Sequence, residues 1–213
     1  MMQSEELKRQ GRIVYRAGLV WGNSGNISAR LDKDTFIISA SGTHLEQLED
    51  DDIVICRVSD EDYYQGSKRP SSETPLHRAI YRARPEAGCV IHVSPFYTTL
   101  VACTNLPLRV DIIPEAMAFL GSVGRVLYGY PGEDELASAI GTAIADHPAL
   151  LMENHGAITF GRTLEEAVVR AETLEVLCRL HVVAYAANLE LLYLGQDVAQ
   201  GLLDYLKKKQ LKA

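Results

Sequence analysis

The chain has little to offer a membrane, a nucleic acid or a disulfide framework. None of its apolar runs reaches the ~18 positions that a membrane-spanning helix needs. The first residues, Met1-Met2-Gln3-Ser4-Glu5-Glu6, lack the basic-then-apolar order of a secretory signal. Positive charge is in deficit. A formal net charge of −7 at pH 7 argues against nucleic acid as a partner, because a phosphate backbone calls for a basic face. The four cysteines, Cys56, Cys89, Cys103 and Cys178, show no Cys-x-x-Cys spacing. Cys56 and Cys89 lie inside apolar runs, where a free thiol packs as a small hydrophobe. All four are therefore read as reduced, and the protein as cytoplasmic. Internal repeats and linker-like segments are also missing, so residues 1–213 read as one domain.

What remains is enough for a sizeable core, since 47% of the residues are hydrophobic. Residues 4–20 read as a helix capped by Ser4, with Leu7, Gly11, Val14, Ala17 and Gly18 at helical spacing. Gly22-Asn23-Ser24-Gly25-Asn26 breaks it. Such a turn reads either as an ordinary loop or as a cradle of backbone N–H groups for an anion. Short strands are predicted over 27–31, 36–39 and 53–58, and a second hydroxyl-rich turn, Ser39-Ala40-Ser41-Gly42-Thr43-His44, follows the second of them. Residues 74–84 form a helix with Pro75 in its first turn, where a missing N–H costs little. Its N-terminus, beside Ser71, Ser72 and Glu73, favours an anion through its unpaired donors and its dipole. Residues 89–91 read as a buried strand ending at His92, and 95–102 as a helix. Strands are expected over 108–113 and 123–128, with a short helix or turn between them that carries Glu115. A helix over 133–145 leads to strands over 149–152 and 157–160, joined by Glu153-Asn154-His155-Gly156. Thr163 and Glu166 form a capping box for a long helix that ends near 187, and an amphipathic tail closes the chain. Helices and short strands alternate without a regular βαβ period. The expected fold is therefore a central mixed or antiparallel sheet between helix layers rather than a dinucleotide-binding sheet.

Three of these residues carry metal chemistry. Glu73, His92 and His155 each fall at the end of an element beside small residues. A zinc-like ion is satisfied by imidazole nitrogen and carboxylate oxygen, and a catalytic site keeps one position open for substrate. Taken singly, each reads equally as an ordinary structural residue.

As a set, Gly25-Asn26, Ser41-Gly42, Ser71-Ser72-Glu73, His77, His92 and Asn154-His155-Gly156 resemble the signature positions of the class II aldolase/adducin family. The segment from Thr163 to Glu175 resembles the family's Gly-x-Thr-Leu-x-Glu-Ala stretch, and the likeness runs from about Gly11 to Ala187. The resemblance implies a three-layer α/β/α fold with a mainly antiparallel sheet, and a homotetramer with sites between subunits. It implies a small phosphorylated substrate whose phosphate is held by Asn26, Ser41, Gly42, Ser71 and Ser72. It implies that Glu73 is the acid/base, and that His92 and His155 hold a divalent metal, zinc first and manganese or another ion next. The implied activity is a metal-dependent aldolase acting through a stabilised enediolate. Epimerase, dehydratase and decarboxylase chemistry, and a non-catalytic adducin-like interaction protein, are the alternatives.

The family's His-x-His reads His92-Val93-Ser94 here. Ser94 stands where a second imidazole belongs, and a neutral hydroxyl is a poor zinc ligand. Three outcomes stay open: Glu73 ligates directly, another residue such as Glu115 or His44 fills the gap, or the metal is lost. The family's tyrosine proton donor has no match around residues 116–119; Tyr205 in the tail is a candidate to act across a subunit boundary, but reads better as an incidental tyrosine of an amphipathic helix.

Overall fold

Strand side chains alternate between two faces, and in this protein both faces are apolar, so the sheet must be covered twice. The structure, a computed structural model, describes residues 2–210. Its strands are β1 (Asn26–Arg30), β2 (Thr35–Ser39), β3 (Ile53–Arg57), β4 (Tyr64–Gln65), β5 (Cys89–Val93), β6 (Val123–Val126), β7 (Ala149–Met152) and β8 (Gly156–Gly161). They form one sheet in the order β4-β3-β2-β1-β5-β8-β7-β6. All neighbours are antiparallel except β6 and β7. In β8, Ala157 enters one apolar cluster while Ile158 and Phe160 enter the other. Helices α1 (Met2–Arg16), α3 (Phe96–Ala102), α4 (Pro114–Phe119) and α6 (Leu164–Ala186) cover the first cluster. Helices α2 (Thr74–Ala83) and α5 (Asp134–Ala143) cover the second. A last helix, α7 (Gln196–Gln210), lies beyond them. The three-layer α/β/α architecture with a mainly antiparallel sheet agrees with the sequence. Among the described residues no helix is long and apolar enough to cross a membrane.

Several local expectations need correction. Helix α1 begins before Ser4 and ends at Arg16, so Ser4 is not its cap. Leu19 and Val20 follow in a turn and are buried in the core. Residues 108–113 form no strand. Their apolar side chains pack on the α6 side of the core, while the Arg109 N–H donates to His181 Nε2 and the Asp111 carbonyl accepts from Leu194. An apolar run is enough to bury a segment, but not to give it a ladder partner. At the start of α6, Thr163 accepts from the Glu166 N–H as expected, but the Glu166 carboxylate reaches the Arg162 N–H, one residue earlier than a capping box requires.

Strand β5 sits at the centre with all five residues buried, and Asn26 of β1 lies directly opposite its His92. The approach to β1 depends on Gly25. It has φ +75°, and a Cβ there would lie 2.5 Å from Val20 Cγ1 and 2.8 Å from the His92 carbonyl oxygen. Gly25→Ala is therefore expected to lower stability by more than ~1 kcal/mol, combining an unfavourable backbone conformation with overlap against backbone. A urea-unfolding midpoint equal to that of the parent would refute this.

Candidate functional site

The residues that could hold a metal come from three places that the sheet brings together. Glu73 caps α2, His92 is on β5, and His155 lies in the turn between β7 and β8. In that turn Asn154 adopts φ +52°, a left-handed conformation that asparagine tolerates. Gly156 follows because any Cβ would lie 2.5 Å from the Val93 carbonyl oxygen. The turn is thereby packed against the end of β5, and the rings of His92 and His155 meet edge to face at 4.8 Å. His155 Nε2 lies 2.9 Å from Glu73 Oε1, and His92 Nε2 lies 3.2 Å from Glu73 Oε2. The second oxygen also accepts from Asn26 Nδ2 at 2.7 Å.

This arrangement is unfinished as a purely protein network. His92 Nδ1 is 3.0 Å from the Ala157 carbonyl, which can only accept, so Nδ1 carries the proton. Burial pushes the pKa of His92 below its ordinary 6.5, against the pull of Glu73. The neutral ring then turns a bare Nε2 lone pair toward a carboxylate oxygen. Glu73 Oε1 and His155 Nδ1 are buried with no hydrogen-bond partner, the His155 approach being close but not aligned as a hydrogen bond. Converging lone pairs and orphaned buried atoms fit a cation among them. Two imidazoles and one carboxylate whose ligand atoms lie within 4.8 Å of one another also match a known catalytic donor set for zinc.

For Glu73 itself, burial acts upward on the pKa and is the largest single influence. Once His92 and His155 are protonated, their charge together with the Asn26 amide outweighs it and holds the carboxyl down at about 2. Proton transfer near neutral pH is favoured by a carboxyl whose pKa is raised. The structure gives the opposite direction, because the partners close around the charged form.

Of the three outcomes left open by Ser94, the geometry favours direct participation of Glu73. The Ser94 hydroxyl donates to Ser24 Oγ at 3.0 Å, and that oxygen also accepts from the Trp21 N–H. Among the described residues, Glu73, His92 and His155 form the only such ligand cluster, so neither His44 nor Glu115 fills the gap. Tyr205 is on α7, exposed, and does not line the cavity.

Above the cluster opens a cavity of about 480 Å³. Ser41, Gly42, Ser71, Ser72 and Asn26 line it together with Glu73, His92 and His155, so every residue assigned to the phosphate or the metal reaches one space. The two hydroxyl-rich turns are tied side by side: the Ser41 N–H donates to the Arg69 carbonyl and the Ser71 N–H to the Ser39 carbonyl. Asn26 differs from the others, because its carboxamide is engaged by Glu73 and His77. Among the described residues no lysine or arginine lines the cavity. An anion here would be held by hydroxyls, backbone N–H groups and the start of α2. Sequence reasoning missed Trp21, Thr99 and Pro131, which also line it, with Thr99 Oγ1 buried and unpartnered. None of them has a local signature; only the folded chain brings them there.

Known proteins resemble this chain in sequence and fold. A sequence model described as the class II aldolase and adducin N-terminal domain matches residues 5–182. L-fuculose phosphate aldolase of Methanococcus vannielii is 31% identical over 85% of this chain and 97% of its own length. The 3-oxo-tetronate 4-phosphate decarboxylase of Haemophilus influenzae is 28% identical over 84% of this chain and 87% of its own length. A solved L-fuculose 1-phosphate aldolase superposes with a TM-score of 0.84 at 26% identity, covering 95% of both chains.

The titration of the cluster sets a pH dependence for the metal-free protein. Burial pushes His77 down to about 3 from 6.5, and His92 also lies below 6.5. Both bind protons in the unfolded chain before they do so in the folded one, so stability present above pH 6.5 is lost as the pH falls. Glu73, lowered from 4.5 to about 2, adds a further loss below pH 4.5. With chelator present, the urea midpoint should fall steadily from pH 6.5 to pH 4.5. A flat midpoint over that range would contradict the buried, neutral state of the two histidines.

Proposed function

The chain belongs to the class II aldolase and adducin family, and on that premise we propose that it is a metal-dependent lyase cleaving a small phosphorylated sugar or hydroxycarbonyl compound. The observation that carries this reading is the convergence of Glu73, His92 and His155, with orphaned Oε1 and Nδ1 atoms, on a cavity walled by Ser41, Ser71 and Ser72. In the proposal these three residues hold a divalent ion, zinc in the first instance. When bound, the ion supplies Lewis acidity that polarises the substrate carbonyl and stabilises negative charge on its oxygen. Ser41, Gly42, Ser71 and Ser72 bind the phosphate at the start of α2, and Asn26 orients Glu73. Phosphate binding at one wall fixes the distance of the reacting carbons from the other.

Glu73 starts as a carboxylate, so its first move is to accept a proton and its second is to return it. In the cleavage direction it takes the proton of the substrate hydroxyl. That oxygen forms the new carbonyl as the adjacent C–C bond breaks. The bonding pair moves toward the neighbouring carbonyl to give an enediolate, which Glu73 then protonates at carbon. Glu73 rests as a carboxylate, so polarisation of the substrate carbonyl would assist this proton transfer. The assembly is proposed to be a cytoplasmic homotetramer in carbohydrate metabolism, with sites near subunit boundaries. Trp21, 70% exposed at the cavity rim, supports a neighbour there.

Decarboxylation is the second reading, favoured by the similarity to a 3-oxo-tetronate 4-phosphate decarboxylase. Loss of CO2 beside a carbonyl leaves the same kind of enolate and needs the same two walls. Product analysis separates the two: an aldehyde is released in one case and CO2 in the other.

Glu73→Gln keeps size and most hydrogen bonding while removing the charge. Turnover of the best substrate in a panel of phosphorylated ketoses and 3-oxo acids should fall by ~10²–10⁴-fold, with binding of a phosphate analogue retained. Full turnover in this variant would sink the mechanism. Metal content tests the ligand set separately. His92→Ala and His155→Ala should purify with less divalent metal, and Ser94→His should resist a chelator better than the parent by adding an imidazole. If elemental analysis finds the metal of both alanine variants unchanged, the assignment fails.

A further inference from the structure

Behind the cavity, a line of buried polar groups runs away from Glu73 into the layer between α2 and the sheet. Asn26 Oδ1 contacts His77 Nε2 at 2.5 Å, His77 Nδ1 contacts Ser28 Oγ at 2.7 Å, and Ser28 Oγ contacts Tyr81 Oη at 2.8 Å. All four residues are at least 95% buried. Glu73, His77 and Tyr81 are four residues apart, on one face of a helix, and Asn26 and Ser28 are two apart, on one face of a strand. Four helical residues rise about 6 Å and two strand residues about 6.7 Å. The two sets therefore interleave in step, helix and strand alternating as partners.

The direction of every proton in this line follows from its charged end. A carboxylate only accepts, so Asn26 must present its NH2 to Glu73 and its carbonyl oxygen to His77. His77 then carries its proton on Nε2 and a lone pair on Nδ1. Ser28 has to donate to that lone pair, which leaves its oxygen to accept from the Tyr81 hydroxyl. The far end is sealed: the Arg30 guanidinium lies 4.5 Å over the Tyr81 ring and donates to the Tyr81 carbonyl, and Phe36 packs against the same ring.

We propose that His77, Ser28 and Tyr81 are positioning residues, a one-way hydrogen-bonded chain acting through Asn26. It fixes Glu73 Oε2 as an acceptor and leaves Oε1 as the oxygen free for a metal or a substrate proton. The inference rests on the lyase reading only for what Oε1 does; the chain itself needs neither metal nor substrate. Its role differs from core packing, because a leucine could fill the same volume without setting the orientation of the carboxamide.

The first test is nitrogen-15 NMR of histidine-labelled, chelator-treated protein, with the His77 signals assigned by their loss in His77→Gln. A neutral ring protonated at Nε2 throughout the neutral pH range is expected. A ring protonated at Nδ1, or an imidazolium, overturns the proposal. The second test uses cobalt(II) as the probe. His77→Leu should bind it ~10–100-fold more weakly, as loss of a group that orients a ligand does, and should show an altered visible spectrum. His77→Gln, whose amide can donate to Asn26 and accept from Ser28, should recover most of the loss. Unchanged affinity and spectrum in the leucine variant would refute a positioning role. If that variant does not fold, Tyr81→Phe serves, since it keeps the ring and removes only the terminal donor. It should shift the Nδ1 resonance of His77, and an unmoved resonance refutes the chain. Absence of turnover on every phosphorylated substrate, with the tautomer as expected, would defeat the lyase reading and leave this one intact.

Discussion

A carboxylate that stays charged inside the protein is the constraint on which the rest of the site depends. Isolated burial of such a charge is costly, so Glu73 needs partners on every side. Asn26 supplies a donor to one oxygen, and His92 and His155 close on both. Each partner in turn needs a fixed backbone. Asn26 and His92 obtain theirs by facing each other across β1 and β5. His155 obtains its own from a turn pressed against the end of β5. What the protein does not supply is a positive centre among the converging lone pairs, an arrangement that fits a cation better than a closed structural network.

The two walls of the cavity are built by different means. The imidazole wall belongs to the sheet, with His92 on its central strand. The hydroxyl wall belongs to connections, the turn after β2 and the segment before α2, tied together by backbone hydrogen bonds. Walls built from separate elements suit an enzyme family whose members differ in activity. The relatives, an aldolase and a decarboxylase, differ in this way.

Much of this was legible in the sequence, and the reasons for the rest are physical. Glu73, His92 and His155 could be found because they end elements, where a short motif and a change of periodicity coincide. The layer order followed from apolar strands alternating with amphipathic helices. Strand β1 shows the limit. Asn-Ile-Ser-Ala-Arg alternates like a strand with one wet face, yet Asn26 and Ser28 are buried and committed to α2. Period alone gives the face, not what covers it. Residues 108–113 failed in the opposite way, being apolar enough for a strand but placed where no neighbouring strand runs. Thr99 and Trp21 carry no motif, and their place in the cavity exists only in three dimensions.

The order of the strands also bears on how the molecule comes into being. Strand β5 pairs with β1, far before it in the chain, and with β8, far after it. Glu73, His92 and His155 therefore meet only when the centre of the sheet has closed, a non-local step that is intrinsically slow. A metal ion has no preformed site to organise in the nascent chain and cannot serve as an early template for this fold. An ion held by these three residues would therefore bind only to chain that has already folded.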